Sequence, residues 1–493
     1  MRSKILPPEA VAAAATAGTA SCPRPAASRW AGLLSRVSGV ACLAVLAGCA
    51  APPSDYDVPT ARASTAAVDL PLAEIAAPPS RIEPAPRPPV LPSNSELARD
   101  FMELSFSLES GRRIGQFSRF EGPVTVALGP GAPPAASPEL ARLVSRLRAE
   151  AGIPITIGQS ATNHIRIEFV PRRKMSREVP NAACFVVPNA ATWEAYRAER
   201  RTPAGDWAQV KQRTAATVFI PAEATPQELR DCLHEETSQA LGPLNDLYRL
   251  PDSIWNDDNF QTVLTRYDMM QLRATYANEL HSGMSAPEVQ ARLPAVFARL
   301  NPAGGAVRGL RENPTPRAYV AAVERAIGPG RAGARRAAAM TAIQIAAAQG
   351  WQDTRAGFGW FVLGRLSQPS DPQTALRAFM NAASIYGATP GAGIQSAHVD
   401  MQMATIALSS GHAQQALALA DRALGPAQSA QNAALAATLH LIRAEAYEAL
   451  GQGAQAQQAR LDSGQWARYG FGSDAAVRAR AAEVAALARA GRG

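Results

Sequence analysis

The sequence predicts an α+β domain over residues 95–300, followed by an all-α helical solenoid over residues 316–493. Two observations carry this. Between residues 95 and 300, short apolar runs alternate with capped amphipathic stretches. From Pro316 the chain turns Ala-rich, and small residues return with a period of 40 at Gly364, Ala404 and Ala444. A third observation bounds the rest: residues 1–94 carry neither pattern.

Within the first domain, Ser95–Ser105 predicts a helix and Pro123–Leu128 a strand. Ser137-Pro138-Glu139 reads as an N-cap with proline at the first helical position, opening a helix to about Ala151. Ile153–Ile157 and Asn163–Val170 follow as strands. The second places Ile165, Ile167 and Phe169 on one face. Ala216–Ile220 is a further apolar strand. Thr225-Pro226-Gln227-Glu228 is a capping box that opens a helix to about Leu241, stopped by Gly242-Pro243.

The N-terminal segment reads as an address. Arg29 and Arg36 precede the apolar stretch Val37–Leu46, and Leu46-Ala47-Gly48-Cys49 follows. This ending resembles a bacterial lipobox. The resemblance implies a signal peptide over residues 1–48, with Cys49 as the lipidated new N-terminus. Ala50 rather than Asp after the cysteine implies the outer membrane, facing the periplasm. Residues 51–93 contain eleven prolines among Ala, Ser and Thr. Residues 49–94 are therefore expected to be a disordered tether.

The whole chain has 493 residues, 47% of them hydrophobic and 18% charged. That is enough apolar material for a sizeable core, and it excludes a wholly disordered protein. Mean hydropathy is −0.10, and no apolar run reaches the ~18 residues of a spanning helix. The net charge of +8 is dispersed, with no aromatic-interleaved basic stripe. No nucleic-acid partner is expected. Of five cysteines, only Cys184 and Cys232 lie beyond Cys49. An oxidising compartment allows them to pair, and two unrelated free thiols are the alternative.

In the C-terminal array, Ala416 and Ala456 form a second small position twelve residues after the first. The leading segment slips by one: Leu376 stands at that offset, with Ala375 one place early. Gly411 and Gly451 mark turns between paired helices. Tyr319–Ile327 and Arg335–Ala348 form an N-terminal pair. With Trp360, Phe379 and Ala382, the layout resembles tetratricopeptide repeats with longer linkers. The resemblance implies a concave surface for a protein or peptide; His398, Asp400, Met401 and Met403 either line it or belong equally to core and rim. Generic Ala-rich packing is the alternative.

One polar cluster stands out, His234 through Asp246. As an H-E-x-x-H zinc helix beginning at His234 it fails, because Ser238 occupies the second ligand place. Shifted by one, Glu235, Glu236, Gln239, Gly242 and Asn245 fall on the metzincin spacing H-E-x-x-H-x-x-G-x-x-H, with all three His replaced. Ser253-Ile254-Trp255 resembles the segment below a metzincin site, with Trp255 where Met usually stands. Leu264-Thr265, Asp268, Leu272 and Tyr276 resemble the closing helix. Residues 95–300 thus resemble a degenerate metzincin-like zincin domain. Cys232 through Asp246, Pro251 through Asp258, Tyr267–Leu272 and Gly283-Met284 are more closely similar to domain-of-unknown-function family 2927. Its members are described as lipoproteins, and it supplies no activity.

Three readings of the cluster stay open. In a metal-dependent peptidase or glycan hydrolase, Glu236 would be the general base and Glu235, Gln239 and Asn245 the metal ligands. Their oxygen donors would suit calcium, magnesium or manganese better than zinc. In a binding pseudo-enzyme, Glu235, Gln239, Asn245 and Asp246 would hold a peptide or glycan. In a structural reading, they tie the helix to the following loop. The leading expectation is a lipid-anchored binding or scaffolding protein. Asn256-Asp257-Asp258 reads as a turn with Asx caps before it reads as a cation loop.

Overall fold

A computed structural model of the chain describes residues 91–180, 182–305 and 313–491. The expected signal peptide, Cys49 and nearly all of the expected tether lie outside the described residues. Among those described, no helix is long and apolar enough to cross a membrane.

The first unit is an α/β layer structure. Its helices are α1 (Asn94–Phe106), α2 (Ala136–Ala151), α3 (Arg172–Glu178), α4 (Trp193–Glu199), α5 (Pro226–Leu241), α6 (Arg266–Thr275) and α7 (Ala286–Leu300). Its strands are β1 (Val124–Leu128), β2 (Ile155–Ile157), β3 (His164–Val170), β4 (Phe185–Pro188) and β5 (Ala215–Pro221). They form one sheet in the order β2-β1-β3-β5-β4. Every pairing is parallel except β4 with β5, where Phe185 faces Phe219 and Val187 faces Thr217. The parallel strands need helical crossovers, which explains the alternation of elements.

Local chemistry sets the helix ends. Ser93 with Glu96, Thr225 with Glu228, Thr265 with Asp268 and Ser285 with Glu288 each form a capping box. The start of α2 differs from the expected Ser137 cap. Ala135 is the N-cap, and Ala136 N–H donates to the Pro133 carbonyl at 2.9 Å, carrying the turn back before Ser137. Pro138 still falls in the first turn, where its missing N–H removes no helical bond. Leu140, Leu143 and Leu147 then bury against the sheet side.

The second unit is all helix: α8 (Arg317–Ile327), α9 (Ala332–Ala348), α10 (Thr354–Ser367), α11 (Pro372–Ala388), α12 (Gly393–Ser409), α13 (Ala413–Ser429), α14 (Ala433–Ala449), α15 (Gly453–Phe471) and α16 (Asp474–Ala490). Antiparallel neighbours approach closely where the small residues stand. A Cβ on Gly364 would lie 2.5 Å from the Phe379 ring. Ala404, Ala416, Ala444 and Ala456 are wholly buried. In the leading segment both Ala375 and Leu376 are buried in α11. Gly411 and Gly451 end α12 and α14 with φ of 79° and 73°, left-handed values that favour glycine.

The loop between α5 and α6 joins the two units. Tyr248 and Phe260 belong to the hydrophobic core of the helical array, not to that of the sheet. Phe260 stacks on His398 with ring centroids 4.5 Å apart and meets Phe361 edge-on at 5.0 Å. Gln395 Nε2 donates to Asp258 Oδ2 and to the Pro251 carbonyl. Thr262 Oγ1 donates to the Ala430 carbonyl. As a result α12 is buried almost all round from Ile394 to Leu408. The expected groove-lining residues are part of this packing. His398 is under Phe260, Met401 is in the core, and Asp400 pairs with Arg422 at 2.6 Å. The loop covers His398 and Gln395, whereas Asp400 and Met403 line a cavity with Met380, Ala383 and Arg422.

Candidate functional site

The polar cluster lies on α5, which follows β5 across a short turn. Every residue from Gln227 to Leu241 is buried. A helix this polar would ordinarily keep one face in water. Here the sheet side takes Leu229, Cys232, Leu233 and Ala240, while the loop and the array take much of the rest. Gln227 bridges to α14: its Nε2 donates to Asn432 Oδ1 at 3.2 Å, and its Oε1 accepts from Ala434 N–H at 2.8 Å. Arg230 donates to the Gln431 carbonyl and to Thr262 Oγ1, each at 3.0 Å.

The lower end of α5 is held by Arg213. Its guanidinium donates to the carbonyls of Gln239, Ala240 and Gly242 at 2.7, 2.8 and 2.6 Å. These are C-terminal carbonyls with no intrahelical partner, so a buried cation suits both their lone pairs and the helix dipole. Burial pulls the Arg213 pKa down to about 10, which leaves it charged at neutral pH. Its ring-like plane lies 4.9 Å from the Trp207 centroid.

The expected ligand set is only partly brought together. Gln239 Nε2 donates to Asp246 Oδ1 at 3.1 Å, which joins two of the expected binding residues. Asn245 turns towards α1, where its Nδ2 donates to the Glu103 carbonyl at 3.1 Å. Glu235 and Glu236 lie instead beside a sulfur: their carboxylate oxygens and Cys184 Sγ are all within 4.8 Å of one another. Glu236 has no exposed surface, and Glu235 is 7% exposed. Burial first, and then the carboxyls of Glu236, Asp246, Glu109 and Asp257, push the Glu235 carboxyl well above its ordinary range.

Cys184 and Cys232 form a disulfide with Cα atoms 5.9 Å apart. It ties the start of the edge strand β4 to the middle of α5. Closing a 48-residue separation stabilises the fold by about 4 kcal/mol in the chain-closure description. A signal for this neighbourhood was present in the sequence. Cys232, Glu235 and Glu236 stand at i, i+3 and i+4, which is one face of a helix. The metzincin spacing drew attention to the next turn instead.

His234 is buried. Its Nδ1 accepts from Leu264 N–H at 3.1 Å, and burial followed by Arg230, Arg146 and Arg142 holds its pKa well below 6.5. The ring is therefore neutral, with its proton on Nε2. Below the helix, Trp255 Nε1 donates to Ser238 Oγ. Asn256 and Asp258 engage each other and neighbouring backbone, as an Asx turn does.

No curated protein and no solved structure matches the chain. Residues 94–295, the α/β unit from α1 into α7, match the family described as "Protein of unknown function (DUF2927)", which supports the family similarity carried by the residues around α5.

Proposed function

We propose that the chain is a lipid-anchored protein of the cell envelope in which a zincin-like (metzincin-like) domain without hydrolytic activity and a tetratricopeptide-like array act together as a binding or scaffolding module. The lipobox ending at Cys49 supports the anchor and the outer-membrane, periplasm-facing location. The strand order with its antiparallel edge, and a polar helix directly after β5, support the zincin-like kinship. The second-helix starts at Pro372, Ala413 and Gly453 support the repeat reading.

One observation carries the non-hydrolytic reading. Glu236, at the general-base place, is fully enclosed and has Glu235 and a disulfide sulfur for neighbours. A general base must come within hydrogen-bond reach of the water it activates. The amides of Gln239 and Asn245 are meanwhile engaged by Asp246 and by the Glu103 carbonyl. A protein or peptide partner would then meet the array away from the face that Tyr248 and Phe260 fill.

The test compares the oxidised full chain with Glu236→Gln on peptide and glycan panels, with and without added zinc, manganese or calcium. We expect no turnover by either. Wild-type turnover that Glu236→Gln abolishes, with circular dichroism unchanged, would establish the hydrolase instead. For the anchor, Cys49→Ala should leave a soluble or uncleaved product, and unchanged membrane association would refute lipidation.

A further inference from the structure

The Cys184–Cys232 disulfide does not sit in an apolar pocket. Both cysteines are buried, and an oxygen from each of two carboxyl groups lies within 4.8 Å of the Cys184 sulfur. Cys232, Glu235 and Glu236 share one face of α5 through their i, i+3, i+4 spacing, and β4 delivers Cys184 to that face. Cys184 Sγ and an oxygen from each Glu already lie within 4.8 Å of one another. In a tetrahedral zinc site the donors stand about 3.3–3.8 Å apart, as bond lengths of about 2.0–2.3 Å require. Side-chain rotations of roughly an ångström would bring these three donors to that spacing, and Cys232, released from Cys184 on reduction, supplies the fourth from the same face of α5.

We propose that Cys184, Cys232, Glu235 and Glu236 become, when the disulfide is reduced, a four-donor site for a zinc-type divalent cation. The oxidised bridge and the metal site are alternative states of the same four side chains. A dithiol reductant delivers two electrons and two protons to the S–S bond and itself becomes a disulfide. The bond breaks and two thiols form. On cation binding both thiol protons, and the proton that the Glu235 carboxyl holds when protonated, leave to solvent, and each sulfur and carboxylate oxygen bonds the metal with a lone pair. Two thiolates and two carboxylates around a divalent ion leave the same net charge as a four-cysteine zinc site. An oxygen of Glu235 and one of Glu236 lie within 4.8 Å of each other, so a cation between the two ionised carboxyls offsets their mutual repulsion. Glu235, the slightly exposed member, is the point of entry.

The test uses the full chain reduced with a phosphine and loaded with zinc, then desalted. We expect one zinc per chain by mass spectrometry in the reduced protein and about tenfold less in the oxidised protein. With cobalt in place of zinc, a thiolate-to-metal charge-transfer band should appear. Glu235→Gln/Glu236→Gln, which keeps the disulfide for a check of folding in the oxidised state, should lower zinc affinity about tenfold or more. Glu235→Gln alone serves if the double variant does not fold. Equal zinc in both redox states, none in the reduced state, affinity unchanged in the Gln variants, or loss of helix on reduction despite zinc would each overturn the proposal. Because the hydrolysis test reads the oxidised chain and this one reads the reduced chain, the two readings fail separately.

Discussion

Trp255 Nε1 donates to Ser238 Oγ at 3.0 Å, and Ser238 Oγ donates in turn to the Glu235 carbonyl at 2.7 Å. Both side chains are fully buried. The loop after α5 is thus fastened to the polar turn of α5 by a two-step relay. Ser238→Ala leaves the indole N–H without its acceptor in a dry site. It should destabilise the chain by about 1–3 kcal/mol, read from the denaturant midpoint. Adding Trp255→Phe removes the stranded donor, so the double variant should lose less than the two single losses combined.

Arg213 makes the second fixed point. Arg213→Met strands three helix-end carbonyls in the interior, at about 1–3 kcal/mol each. We expect a loss of at least about 3 kcal/mol in chemical denaturation. Arg213→Lys should recover only part of it, because an ammonium cannot reproduce the planar fork that reaches Gln239, Ala240 and Gly242.

Phe260, together with Tyr248, carries the α/β unit into the core of the array. It meets Phe358, Phe361 and His398. Phe260→Ala should cost about 3–5 kcal/mol. Limited proteolysis should then cut first in the α5–α6 loop, while wild-type protein resists there.

Stability should also respond to pH through Asp252. Burial, and then Asp268, raise its pKa to about 7 from 3.8. Between those values the unfolded chain releases a proton that the folded chain keeps. This group's contribution therefore falls as pH rises, by up to about 1.4 kcal/mol per unit. Asp252→Asn removes that fall. Its stability relative to wild type should increase from about pH 4 to pH 7 and level off above. Asp231 and Asp258 are also raised to about 7 and act in the same sense. His234 and His398 have lowered pKa values, so their contribution is lost as pH falls below about 6.5. Those groups are common to both proteins, so the comparison reads Asp252 together with its coupling to Asp268.

Much of this architecture is legible in the residues. Thr225, Pro226 and Glu228 announce the start of α5, and Gly242-Pro243 its end, because capping chemistry is local. The period of 40 announces the paired helices, because close approach demands Gly364, Ala404 and Ala444 at fixed places. The short strand β4 was given no residues, since four residues between Cys184 and Asn189 show too little alternation to read. Periodicity identifies a buried side chain without saying which core receives it. Tyr248 and Phe260 therefore gave no sign of crossing into the array. The same limit hid this cluster: the metzincin spacing grouped Glu235 with Gln239 and Asn245, whereas β4 brings Cys184 to Glu235 and Glu236.

The account rests on α5 being closed in by its own chain, with the sheet on one side and the loop and array on the other. Amide hydrogen exchange of the oxidised full chain tests this most directly. It predicts that amides of α5 and of residues 247–264 exchange only with global unfolding, and that Phe260→Ala releases the loop first. Fast exchange across that loop in the wild-type protein, with the sheet still protected, would contradict it and leave the polar face of α5 open to a ligand.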